Sequence, residues 1–74
     1  MNILNYKDKV QYVKDEVKSC LKYNELKHLD KYKDKAKDTI SDLRELRYNN
    51  PESREEIDKS IKELEDTIKD IDKV

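Results

Sequence analysis

The sequence predicts an all-α fold, a small three-helix bundle built on an antiparallel helical hairpin. Three observations carry this. Apolar residues recur at steps of three and four in three separate runs. The runs are separated by two short breaks, Tyr23-Asn24-Glu25 and Tyr48-Asn49-Asn50-Pro51. When the last two runs are folded back on each other, their apolar positions meet.

The first run holds Ile3, Tyr6, Val10, Val13, Val17, Cys20 and Leu21, and predicts a helix over about 5–22. Asn5 with Asp8 resembles a capping box at its start. The second run, Leu26, Leu29, Tyr32, Ala36, Ile40, Leu43 and Leu46, predicts a helix over about 25–48. Asp30, Asp34, Asp38 and Asp42 lie on its opposite side with lysines on both flanks, and Arg44 and Arg47 suit the negative end of the dipole. The apolar stripes of these two helices point about a quarter turn apart, in the sense opposite to heptad drift. A kink or break is therefore expected near Asn24, which would cap the second helix; one long bent helix is the alternative.

The third run is the most regular. Ile57, Ile61, Leu64, Ile68 and Ile71 follow a strict 4-3-4-3 seam with only polar residues between. Asn50 as cap, Pro51 at the first helical position and the following glutamates mark the start of a helix over about 51–73, with Ser53 and Glu56 as an alternative capping box. Folding this helix onto the second places Leu43 near Ile57, Ile40 near Ile61, Ala36 near Leu64, Tyr32 near Ile68 and Leu29 near Ile71. Net charge is +2 over residues 1–24, +1 over 25–50 and −4 over 51–74, so an acidic third helix against a basic first one is favourable.

Seventy-four residues form a single domain with a thin core. Charged residues make up 47% of the chain, yet the net charge is only −1, so the periodic pattern rather than repulsion decides for order. Without glycine there is no phosphate-cradling loop of the usual kind. One Cys and one His make no usual zinc set or internal disulfide, and no cofactor is implied. No apolar run approaches the ~18 residues of a membrane span, so a cytoplasmic location is expected.

Catalytic constellations are weak. Cys20 and His28 are eight residues apart, about 12 Å along a continuous helix, and no oxyanion-stabilising element accompanies them. The aspartate stripe reads as a solvated face, because flanking lysines neutralise it and a helix exterior supplies no enclosing ligands. No catalytic or metal-binding residue is assigned.

Two surfaces suggest partners. Tyr12, Glu16, Ser19 and Tyr23 form a second stripe off the seam of the first helix; tyrosines there suit protein recognition, or packing on another helix. Lys7, Lys14, Lys18 and Lys22 lie in a Lys-rich, Tyr-containing first half that suits nucleic acid, although that stretch lacks Arg and the whole chain is slightly acidic. In size and hairpin shape the chain is similar to the small two-helix sporulation phosphatases. Its nearest stretch to their Ser-Gln-Glu-Leu-Asp signature, Ile40-Ser41-Asp42-Leu43-Arg44, does not carry it, so nothing transfers. Lys, Asn, Ile and Tyr, all with A/T-rich codons, supply 30 of the 74 residues, which points to an A/T-rich bacterium, its phages or its mobile elements. The expectation is a non-enzymatic protein-binding regulator: an inhibitor, adaptor or antitoxin-like protein. The alternatives are a homo-oligomeric assembly protein and a nucleic-acid-binding regulator.

Overall fold

The computed structural model describes residues 1–74. Three α-helices, α1 (Tyr6–Lys22), α2 (Leu29–Asn49) and α3 (Arg54–Asp72), make up an all-α three-helix bundle. Single 3₁₀ turns, Leu26–His28 and Pro51–Ser53, lead into α2 and α3. Ion pairs report the helix directions. Lys7–Glu56 (3.4 Å) and Lys14–Glu63 (3.5 Å) are seven residues apart on both helices, so α1 and α3 run parallel and in register. Arg47–Asp58 and Lys33–Asp72 are fourteen apart in opposite senses, so α2 and α3 are antiparallel along most of their length. The bundle measures 39 × 19 × 15 Å, long enough for the 21-residue α2 at roughly 1.5 Å per residue.

The seam residues fill the interior. One cluster joins Tyr6, Val10 and Val13 of α1 to Ala36, Ile40, Leu43 and Leu46 of α2 and Ile57, Ile61 and Leu64 of α3. Ile3 and Ile68 pack at its edge. A smaller cluster, Val17, Cys20, Leu29 and Ile71, closes the end near the α1–α2 turn, with Leu21 and Tyr32 packed against it. Burying each large aliphatic side chain contributes about 1.5–3 kcal/mol before entropy is counted. Two threonines sit inside without penalty, because the hydroxyls of Thr39 and Thr67 donate to the carbonyls of Lys35 (2.8 Å) and Glu63 (2.9 Å) one turn earlier. The Tyr6 hydroxyl is different: it is buried and has no hydrogen-bond partner.

Helix ends depart from expectation in an instructive way. The first and second helices are separate, but Asn24 does not cap α2. It has φ +56° and ends α1, with the Glu25 N–H donating to the Cys20 carbonyl (2.9 Å). That is the long bond of a Schellman-type stop, which needs a left-handed residue; in a chain without glycine, asparagine fills the position at least cost. The α-helical part of the second helix consequently begins at Leu29 rather than 25, and that of the third at Arg54 rather than 51. Asn50 likewise serves the helix before it: its Nδ2 donates to the Leu46 carbonyl (3.0 Å). None of the three expected side-chain caps forms at a helix start, neither Asn5, Asn50 nor Ser53. The Asn5 side chain instead accepts from the Asn2 N–H, and the Asp8 N–H bonds the Asn5 main-chain carbonyl. Leu26, placed on the apolar seam by spacing, lies in the 3₁₀ turn and is 47% exposed. Tyr32 packs on the smaller cluster, whereas Ile68 packs on the larger. No helix is long and apolar enough to cross a membrane.

Candidate functional site

An α1–α2 pair has two grooves. α3 fills one, and the stripe Tyr12, Glu16, Ser19, Tyr23 lies along the other. The spacing of four, three and four keeps these residues on one side of α1, away from the Val10–Val13–Val17 seam. Their environments differ along the helix. Tyr12 is 47% exposed, and Lys35 of α2 places its Nζ 5.2 Å from the ring centroid. Glu16 is half-buried and accepts a hydrogen bond from the Tyr32 hydroxyl of α2 (3.0 Å). Ser19 is exposed. Tyr23, in the turn after α1, is 63% exposed, with Lys22 Nζ 5.4 Å from its ring centroid.

The stripe is thus neither a free surface nor a packed one. Its middle is anchored to α2 through Glu16–Tyr32, and its tyrosines keep about half (Tyr12) and nearly two thirds (Tyr23) of their surface open. The anchor is a charge-assisted bond in a partly shielded place. Its signature is the Tyr32 phenol, pushed up to about 12 first by the bond to Glu16, then by burial and by the negative charge of Glu16. Losing its proton would break the donor and set two negative charges together.

Tyr32 and Lys35 also belong to this face, which spacing alone does not reveal. Tyr32 falls on the apolar seam of α2 and touches the smaller core cluster, but its polar end reaches across to α1. Their contacts depend on the α1–α2 register, which the broken stripe between the two helices left open.

The lysine set divides. Lys7 and Lys14 face α3 and pair with Glu56 and Glu63. Lys18 and Lys22 have no carboxylate partner within 4.0 Å, and Lys22 instead lies over Tyr23. Two of the four lysines are thus engaged within the fold and two are not.

Cys20 and His28 also part ways. Cys20 is buried in the smaller cluster, and burial pushes its thiol up, with Glu25 and Glu16 adding to the shift. His28 is exposed in the 3₁₀ turn. The aspartates of α2 stay on the solvent side, where Asp42 meets Lys9 at 3.9 Å. No group of three or more His, Cys, Asp or Glu side chains stands close enough to hold a metal ion. The cleft between α1 and α3 is polar, walled by Lys7, Gln11, Glu56, Lys59 and Glu63 over Val10. Compared with protein-family models, curated proteins and solved structures, the chain matches none.

Proposed function

We propose that this chain is a non-enzymatic protein-binding regulator, an inhibitor, adaptor or antitoxin-like module, that docks its partner on the open α1–α2 groove. One observation carries the reading: Tyr12 and Tyr23 stand off the core seam, remain substantially exposed, and flank a stripe held in place by the Glu16–Tyr32 hydrogen bond. Tyrosine supplies large contact area with few rotatable bonds, so an ordered, exposed pair suits recognition more than folding. The phosphate-binding alternative would have to displace Lys7 and Lys14 from their glutamates.

The test is capture by the tagged chain from a low-GC bacterial lysate, divided into nuclease-treated and untreated halves. A discrete protein retained after nuclease treatment supports the reading. A catch that vanishes with nuclease replaces it with a nucleic-acid function. Recovery of the chain's own untagged copy alone replaces it with self-assembly.

A further inference from the structure

The charge inventory of the open groove points to what occupies it. Four lysines of α1 and α2 are neutralised within the fold, Lys7 and Lys14 by α3, Lys9 by Asp42 and Lys33 by Asp72, while Lys18 and Lys37 stand without a carboxylate partner. On the tyrosine face no lysine is neutralised, and each lies beside a ring. Lys22, Lys31 and Lys35 lie 5.4, 5.7 and 5.2 Å from the ring centroids of Tyr23, Tyr32 and Tyr12, with no carboxylate within 4.0 Å. The carboxylate of the stripe, Glu16, is already held by Tyr32. Three uncompensated cations therefore alternate with aromatic rings along a groove between two antiparallel helices.

We propose that this groove accepts an acidic amphipathic helix of a partner protein. Its Asp and Glu side chains meet Lys22, Lys31 and Lys35, and its apolar side chains cover Tyr12 and Tyr23. The inference rests on the protein-binding reading above and names the chemistry of that partner. A helix fits because α3 already fills the opposite groove of the same pair, so a fourth helix would complete a bundle. Acidic character follows from complementarity: carboxylates gain partners, whereas a cationic segment meets like charge. A polypeptide is favoured over nucleic acid because the face carries no Arg and the chain as a whole is slightly acidic, with α3 adding negative charge behind it.

The experiment uses the full chain, isotope-labelled for NMR, and two synthetic amphipathic peptides with one shared leucine pattern. One has Glu and Asp at its polar positions, the other Lys. The acidic peptide is expected to shift the resonances of Tyr12, Tyr23 and Tyr32. Its Kd should weaken by roughly tenfold or more in the Lys22→Glu/Lys31→Glu/Lys35→Glu variant, with the circular dichroism spectrum unchanged, since three exposed pairs are lost and reversed. Equal or tighter binding of the lysine peptide on the same tyrosines overturns the acidic assignment and leaves the protein-binding reading standing. No shift with either peptide overturns the assignment as well. Tighter binding of oligo(dT) on those tyrosines overturns both. Concentration-dependent shifts of the tyrosines without peptide overturn the assignment in favour of a second copy of the chain.

Discussion

Replacing Tyr6 by phenylalanine should stabilise this protein, although it deletes a polar group from a conserved-shape ring. Tyr6 is 3% exposed and packs in the main core cluster with residues of all three helices. Its hydroxyl is buried without a partner, so folding strips it of water and returns nothing. Such an unsatisfied group costs about 1–3 kcal/mol, and phenylalanine keeps the ring while removing the cost. Part of the gain is lost because a small void replaces the oxygen, which leaves a net increase of about 1 kcal/mol. For a domain of this size that corresponds to a rise of about 4–8 °C in melting temperature. Thermal and urea denaturation followed by circular dichroism give the answer, and Tyr32→Phe is the control. Tyr32 donates to Glu16, so losing its hydroxyl should lower stability. A Tyr6→Phe protein less stable than the parent by ~1 kcal/mol or more would show instead that the hydroxyl is bonded in solution.

Three further outcomes are expected. The Tyr32 phenol, at about 12 against an ordinary value near 10, is stabilised in its neutral form; the stability it contributes is present below pH ~10 and is lost as pH rises toward 12. Phenolate absorbance should show one of the five tyrosines ionising last, and Glu16→Gln should bring it back toward the others; no late tyrosine would contradict the Glu16–Tyr32 bond. At Asn24, glycine should stabilise by up to ~1 kcal/mol and valine should destabilise by about 1–2 kcal/mol, because only the left-handed conformation ends α1 there; equal melting curves for the two variants would argue against it. Leu43→Ala, at a position with no exposed surface among all three helices, should cost about 2–5 kcal/mol, a large share of the roughly 4–11 kcal/mol expected of 74 residues; a urea-unfolding loss below ~1 kcal/mol would place Leu43 outside the core.

The bundle was legible because period and punctuation agree. The seam from Ile57 to Ile71 has no polar interruption, and it can only be buried against an equally long stripe, which α2 supplies from Leu29 to Leu46. The break at Asn24 was legible from the rotation between stripes. Its mechanism was not, because asparagine serves equally as a helix start and as a left-handed stop, and spacing does not distinguish them. The same ambiguity reversed Asn50. Leu26 fell on a helical period that the 3₁₀ turn does not continue. Of the candidate face, the α1 residues were visible as a stripe off the seam. Tyr32 and Lys35 were not, because a side chain that touches the core with its ring and another helix with its hydroxyl leaves only the core signal in the spacing.

If Tyr12 and Tyr23 serve binding rather than folding, the Tyr12→Ala/Tyr23→Ala variant separates the two roles. The measurement is capture of the nuclease-resistant partner at a temperature where circular dichroism shows the variant fully folded. Tyr12 keeps about half of its surface in water and Tyr23 nearly two thirds, so the melting temperature should fall by only a few degrees while capture is lost. Full capture by the folded variant, or a collapse of helicity at temperatures where the parent is intact, would contradict the binding role.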